Sequence, residues 1–183
     1  MSRMNHGDDM SVLVDALKDC GALQFGDFTL ASGAKSKYYI DIKKASTNPK
    51  VLKLIAESMA EQLRTMDVKV DRIAGIVLGS IPLATALSLE TGIPYVMVRK
   101  EKKDHGTGKM IEGVLNPGEK VLVVEDVITS AGSSVTSIGI LRDAGAIVED
   151  IFSVIDREAG GAEALKGIGV RFLPLVRASE LLE

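Results

Sequence analysis

The sequence lacks several features that would restrict its location or its chemistry. It has one cysteine, Cys20, so no intrachain disulfide is possible, and no group of residues has the spacing of a zinc site. No apolar run reaches the ~18 residues that a membrane span requires, and the N-terminal MSRMNHGDDM lacks the apolar centre of a signal peptide. We therefore expect a cytoplasmic protein that does not associate with membranes, in which Cys20 is a buried structural thiol.

Positive charge is also scarce. The chain has 22 Lys and Arg against 25 Asp and Glu, a formal net charge of −3, which argues against a nucleic-acid-binding protein. With 183 residues, 46% hydrophobic, and no repeat or Pro/Ser-rich linker, residues 1–183 are expected to form a single domain. One segment is positively charged although the chain as a whole is acidic: RKEKKDHGTGK, residues 99–109. It is either a solvated surface loop or a site for an anionic ligand.

Strands and helices alternate along most of the chain. Residues 9–20 predict an amphipathic helix and residues 25–42 a β-hairpin, and Asn48-Pro49 is typical of a helix start. Apolar strands that alternate with helices then indicate a parallel sheet covered on both faces, with ligands beyond the carboxyl ends of its strands. We expect the N-terminal helix and hairpin to form a small hood. The predicted strands are 73–78, 94–98, 121–124, 147–155 and 170–173, and the predicted helices among them are 82–90, 134–143 and 161–166.

The segment VLVVEDVITSAGSS, residues 121–134, combines two devices that suit a sugar phosphate. Glu125 and Asp126 follow a buried strand, where unpaired carboxylates are costly, and a ribose diol would be a fitting partner. The small, hydroxyl-rich residues from Thr129 to Ser133 open a helix, whose first N–H groups attract phosphate. The alternative is an ordinary strand-to-helix turn with a serine N-cap. A Walker-like spacing at 113–118 fails because Glu119 stands where that motif needs lysine.

At this point three segments resemble a known family. VLVVEDVITSAGS is similar to the phosphoribosyl pyrophosphate (PRPP) motif of type I phosphoribosyltransferases. FTLASGAKSKYYID (28–41) resembles the hairpin, and RKEKKDHGTGKMIEG (99–113) the mobile catalytic loop, of orotate phosphoribosyltransferases. The resemblance extends over residues 10–175. It implies the α/β type I fold, a parallel sheet flanked by helices, with hood elements at 9–45 and a mobile loop at 99–113.

The same resemblance implies an enzyme that transfers phosphoribosyl from PRPP to orotate, giving orotidine 5′-monophosphate and pyrophosphate in pyrimidine biosynthesis. Mg²⁺ would be the cofactor, held mainly by PRPP without a metal site on the protein. The family forms homodimers, so loop 99–108 would be shared across subunits. Lys103, His105 and Asp126 would be catalytic. PRPP would be bound by Arg99, Lys100, Lys103, His105, Glu125, Asp126, Val127, Ile128, Thr129, Ser130, Ala131, Gly132 and Ser133.

Orotate would be recognised by Thr129 and Arg157, because an arginine forms charge-assisted bonds to a carboxylated pyrimidine. The alternative for Arg157 is a salt bridge to Asp156 or Glu158. The loop from Gly79 to Pro82 corresponds to the family's pyrophosphate loop, for which a strained peptide is expected at Leu78–Gly79.

Two positions depart from the family pattern. Ala31 and Gly79 stand where many members have lysine, which removes positive charge from the PRPP site. Two other functions remain open as alternatives. A purine phosphoribosyltransferase would keep the PRPP loop, although the Lys-Asp-His-Gly run and Arg157 oppose it. A non-catalytic regulator would use this fold to sense nucleotides. Some relatives of that kind carry an added DNA-binding domain, for which the ~20 residues before the hairpin are too few and the net charge is negative.

Overall fold

The computed structural model describes residues 6–29, 33, 35–99 and 109–182, with side chains from residue 11 onward. Helices and strands alternate as the sequence predicts. They are α1 His6–Asp19, β1 Leu23–Thr29, β2 Lys35–Ile40, α2 Ile42–Ser46, α3 Pro49–Thr65, β3 Arg72–Ile76, α4 Ile81–Thr91, β4 Tyr95–Val98, β5 Ile111–Glu112, β6 Lys120–Ile128, α5 Gly132–Asp143, β7 Ile147–Asp156, α6 Gly161–Gly167, β8 Arg171–Arg177 and α7 Ala178–Leu182.

A six-stranded sheet in the order β5-β4-β3-β6-β7-β8 forms the centre of the fold. All its neighbouring strands are parallel except β5, which runs antiparallel to β4. Successive side chains of a strand point to opposite faces. Val121 and Val123 of β6 accordingly pack on the face covered by α5 and α6, and Leu122 and Val124 on the face covered by α3 and α4. The predicted parallel sheet with two covered faces is confirmed.

The predicted hairpin is confirmed as a separate two-stranded antiparallel sheet of β1 and β2. Its inner residues Leu23 and Ile40 are buried in the same core as Leu13 and Leu17 of α1 and the residues of α3 and α4. The hairpin and α1 therefore share a core with the main sheet. α3 begins as expected after Asn48, whose side chain accepts hydrogen bonds from the N–H groups of Lys50 and Val51.

Several predicted details are wrong. β6 does not end at Val124 but continues to Ile128, and the two-residue β5 and the five-residue α7 were not predicted. Cys20 is half-buried rather than buried, because α1 ends at Asp19 and the thiol lies in the following turn, where it donates to the carbonyl oxygen of Leu17 at 3.5 Å. Within the described ranges, no helix has the length and apolar character needed to cross a membrane.

Candidate active site

The predicted site residues that the structure describes gather at one edge of the sheet, where β3, β6 and β7 end side by side. We call it the carboxyl edge. β6 brings Glu125 and Asp126 to it, the loop before α5 brings Thr129, and Arg157 follows β7 directly. In parallel sheets this edge is where ligands bind. Residues that are far apart in the sequence thus lie at the same edge of the sheet.

The two adjacent acids have different surroundings because they point to opposite sides of β6. Glu125 is buried, with 6% of its surface exposed, and accepts a hydrogen bond from the Ser134 hydroxyl of α5 at 3.4 Å. Asp126 is half-buried and accepts a hydrogen bond from the N–H group of Val127 at 2.8 Å. Glu125 is therefore fixed to the start of α5, and Asp126 is the more accessible acid. Ser134 was not predicted, although its position in the first turn of α5 made it a candidate.

The loop from Thr129 to Ser133 presents an open helix start. Thr129, Ser130, Gly132 and Ser133 are exposed, and α5 begins at Gly132. The N-cap residue is Ala131, so the alternative of a serine N-cap is wrong, and no side chain at this position caps the first turn. Ala131 has a φ of 63°, a left-handed conformation that residues other than glycine rarely adopt. The uncapped N–H groups of the first turn suit an anion.

Arg157 lies at the end of β7 with its guanidinium over the ring of Tyr38, 5.1 Å from the centroid. Within the described ranges it forms no ion pair. The alternative of a salt bridge to Asp156 or Glu158 is therefore wrong. Asp156 accepts from the N–H of Glu158 at 2.8 Å. The cationic group remains available for an acidic ligand.

Glu158 turns away from Arg157 toward the start of α7, where its carboxylate accepts from the N–H of Ser179 at 2.9 Å. That hydrogen bond lowers the pKa of Glu158. Tyr38, which holds Arg157 from the hairpin side, was missed by the sequence reasoning. Its signal was the aromatic pair Tyr38-Tyr39 in a segment otherwise interpreted only as a strand.

The loop between β3 and α4 approaches Asp126. Ser80 is fully buried, and its hydroxyl donates to the carbonyl oxygen of Ile76 at 2.6 Å and accepts from the N–H of Ile76 at 2.7 Å. The unusual peptide of this loop is a cis bond between Val77 and Leu78, one residue before the expected position at Leu78–Gly79. A Cβ atom built on Gly79 would be 2.2 Å from Oδ2 of Asp126, so this departure from the family pattern lies in contact with the acid.

Arg99 lies at the base of the predicted mobile loop. Its guanidinium donates to the Glu112 carboxylate at 2.9 Å, and its N–H donates to the carbonyl oxygen of Met110 at 2.8 Å. These contacts join the two ends of the loop as a hairpin stem formed by β4 and β5. Lys100, Lys103, His105 and Ala31 lie outside the described residues. Their predicted roles, and that of Arg99 toward pyrophosphate, stay predictions.

A resident metal site would need a set of several ligands. Across residues 6–29, 33, 35–99 and 109–182, no group of three or more His, Cys, Asp or Glu side chains is arranged to hold a metal ion. The acids of β6 offer two carboxylates, one of them already bonded to Ser134. These two carboxylates suit a metal ion that is coordinated mainly by the oxygens of a bound phosphate compound.

Comparison with known proteins shows which protein family has this arrangement of residues. The family model for the phosphoribosyl transferase domain matches residues 41–168, which include β3 to β7 and the whole carboxyl edge. Orotate phosphoribosyltransferase of Methanosarcina mazei is 53% identical over 171 residues, covering 93% of this chain and 90% of that protein. The chain therefore belongs to the orotate phosphoribosyltransferases of the phosphoribosyltransferase family.

Solved structures agree with this assignment. The crystal structure of orotate phosphoribosyltransferase from Aeropyrum pernix is similar with a TM-score of 0.85 and 32% identity, covering 93% of this chain and 96% of that one. The Mycobacterium tuberculosis orotate phosphoribosyltransferase in complex with PRPP has a TM-score of 0.79 and 30% identity, covering 96% of this chain and 99% of that one.

Proposed function

We propose that this chain transfers the phosphoribosyl group of PRPP to N1 of orotate, with formation of orotidine 5′-monophosphate and pyrophosphate in pyrimidine biosynthesis. The bond from the ribose C1 to the pyrophosphate oxygen breaks, and its electron pair leaves with pyrophosphate. A bond from C1 to N1 forms, and the N1 proton is released. The observation that carries the proposal is that the β6 acids, the open start of α5 and Arg157, whose guanidinium forms no ion pair with the described residues, lie at one edge of the sheet.

In this proposal the β6 segment holds the sugar phosphate. The N–H groups and hydroxyls from Thr129 to Ser133 bind the 5′-phosphate, because the start of α5 is exposed and uncapped. Asp126 meets the ribose hydroxyls as hydrogen-bond acceptor, since its carboxylate is the accessible one of the pair. Glu125, fixed by Ser134, adds negative charge behind it, which favours the cationic ribose carbon of the transition state.

Arg157 and Thr129 bind orotate. A guanidinium without an acidic partner among residues 6–29, 33, 35–99 and 109–182 keeps its donors for a planar carboxylate, to which it can bond at two points. The Tyr38 ring supports one face of the guanidinium and limits its rotation. Thr129 is exposed in the loop that follows β6, whose last residue, Ile128, pairs with Asp156, the neighbour of Arg157. This placement supports a base site between β6 and β7.

The departing pyrophosphate would be stabilised by Arg99, Lys100, Lys103 and His105. The proposal rests on the sequence resemblance of loop 99–108 and on the position of Arg99 at its base. Cationic donors aimed at oxygens that gain charge lower the barrier to departure, and exclusion of water protects the activated sugar. Mg²⁺, bound mainly by PRPP, would neutralise part of the pyrophosphate charge.

One assay tests the proposed reaction. The purified protein is incubated with PRPP, Mg²⁺ and either orotate or purine bases, and orotate absorbance and pyrophosphate release are followed. Turnover of orotate alone is the expected result. Turnover of a purine base instead would make the chain a purine phosphoribosyltransferase. PRPP binding without any turnover would favour a non-catalytic regulator.

We further propose that the enzyme is a homodimer in which loop 99–108 serves the partner's site. Lys103→Ala subunits and Asp126→Ala subunits are each expected to be inactive, because each lacks a group needed at every site. After subunit exchange, mixed dimers contain one site with both groups intact and should recover part of the activity. Absence of recovery, with exchange verified by two differently tagged chains, would count against shared sites.

A further inference from the structure

The outward side of α4 is unusually apolar for a surface helix. Pro82, Thr85, Ala86 and Leu89 recur there at the spacing of one helical face, and none of them is buried. Leu89 is 83% exposed. The one charged residue of α4 is Glu90, although the solvent-facing side of a surface helix usually carries several charges. Such a surface is typical of a helix that another molecule covers.

This apolar surface extends to the loop in front of α4 and from there to the stem of loop 99–108. Leu78, three residues before α4, is 73% exposed. The N–H of the preceding Val77 donates to the carbonyl oxygen of Val98 at 2.9 Å, and Val98 is followed by Arg99 of the stem. The apolar surface and the stem therefore lie beside each other. We call the surface the α4 face, and it comprises Leu78, Pro82, Thr85, Ala86 and Leu89.

The length of the loop limits where a partner subunit can lie. The ten residues 100–109 connect Arg99 with Met110, whose carbonyl oxygen accepts from the N–H of Arg99 at 2.8 Å. A segment that leaves the stem and returns to it extends by at most five residues, or roughly 17 Å. In the proposed homodimer, the partner's carboxyl edge must therefore lie within about that distance of the stem. The contact between the subunits must accordingly be close to the stem, where the α4 face is.

We propose that the α4 face binds the same face of a second copy of this chain. In a two-fold dimer the same surface of both subunits is in contact. Each stem then lies close to the loop that precedes the partner's α4, which belongs to the partner's carboxyl edge. The inference rests on the proposed function, which assigns loop 99–108 to the partner's site, and it adds the surface that joins the subunits.

Leu89→Lys tests the α4 face by placing a charge in the contact. We expect the dissociation constant of the dimer to rise by about 100-fold or more, because an unpaired charge is costly to bury. Light scattering after size-exclusion chromatography should give the mass of one chain for this variant and of two chains for the native protein. Val12→Lys is the matched control, since Val12 of α1 is 53% exposed and lies outside the α4 face. A Leu89→Lys variant as dimeric as Val12→Lys would overturn the proposal.

A second variant keeps the test valid if Leu89→Lys does not fold. Ala86→Arg places a charge on the same face at a half-buried position, and arginine is a good helix former. Circular dichroism and urea unfolding establish that each variant is folded. A folded Ala86→Arg variant is expected to be monomeric, and a folded dimer of it would also contradict the role of the α4 face.

Turnover of orotate gives an independent measure of the same dimer. Monomeric Leu89→Lys should lose activity because its site lacks the partner's loop, and its specific activity should rise with protein concentration as dimers form. A native protein that is monomeric would contradict both the shared loop and this inference. A native dimer without turnover would contradict the proposed reaction alone, because the molar masses of the variants would still decide whether the α4 face joins the subunits.

Discussion

Arg157 is held at the carboxyl edge by contacts that leave its charge available. Its backbone N–H donates to the carbonyl oxygen of Ile128 at 2.8 Å, which ties the residue to the end of β6. Its guanidinium lies over Tyr38 of the hairpin. Both contacts restrict the position of the side chain without neutralising it. A ligand carboxylate would therefore find a preoriented cation, which reduces the entropy lost on binding.

Replacement of Arg157 by lysine tests this role at the scale of one residue. The charge remains, but the planar group that bonds at two points and stacks on Tyr38 is lost. We expect KM for orotate to rise by about tenfold or more, in line with the contribution of a charge-assisted hydrogen bond. Steady-state kinetics with each substrate varied in turn would measure it.

PRPP affinity should be unaffected by Arg157→Lys, because PRPP is assigned to β6 and the start of α5. Arg64→Lys provides the control, since Arg64 is an exposed arginine at the end of α3 that pairs with Glu61. A matching loss of PRPP affinity in Arg157→Lys would argue against an orotate-specific role and for a general effect on the site.

At the scale of elements, the start of α6 supports the loop that carries Thr129. Gly161, the first residue of α6, is buried beneath the end of β6. A Cβ atom there would lie 2.4 Å from Cγ2 of Ile128 and 2.7 Å from the carbonyl oxygen of Thr129. The close packing of α6 on β6 thus depends on the absence of a side chain at one position.

Gly161→Ala should therefore destabilise the protein. Forcing a methyl group into a packed contact with backbone costs about 1–3 kcal/mol, and urea unfolding would measure the change in free energy. Gly167→Ala, in the last turn of the same helix, meets no atom within 4 Å and should leave stability unchanged or raise it slightly. Equal stability of the two variants would show that the contact at Gly161 relaxes without cost.

The sequence predicts long helices and strands well. It predicts short strands and contacts between distant residues poorly. Apolar runs such as 121–124 reveal buried strands because burial on both faces removes polar residues. β5 has only two residues, and pairing of Ile111 with Val98 makes it a strand. The end of β6 was missed because Glu125 and Asp126 break the apolar run, although their backbones still pair along β7. The contact of Tyr38 with Arg157 depends on how the hairpin packs, which no local pattern contains.

On the scale of the whole molecule, an ion pair that contributes to stability lies at the edge of the sheet opposite the proposed ligand site. At the amino edge, where β3 and β6 begin, the Arg72 guanidinium bonds to the Glu119 carboxylate, with Nε 3.1 Å from Oε2. Glu119 also accepts from the N–H of Asn116 at 2.9 Å. Both charged side chains are mostly shielded from solvent, at 12% exposed for Arg72 and 18% for Glu119. This pair joins two central strands far from the proposed ligand site.

The Arg72–Glu119 pair predicts that the free energy of unfolding depends on pH. The hydrogen bond from Arg72, followed by that from Asn116, lowers the pKa of Glu119 from 4.5 to about 2. A depressed carboxyl pKa stabilises the fold above the unfolded value, and that contribution is lost as pH falls from 4.5 toward 2. Glu119→Gln should cost about 2 kcal/mol at pH 7, and the difference from the native protein should shrink across that acidic range. Urea unfolding of both proteins at several pH values would measure it, with orotate turnover at pH 7 unchanged. A constant difference down to pH 2 would mean that the loss in Glu119→Gln does not arise from the ionised carboxylate.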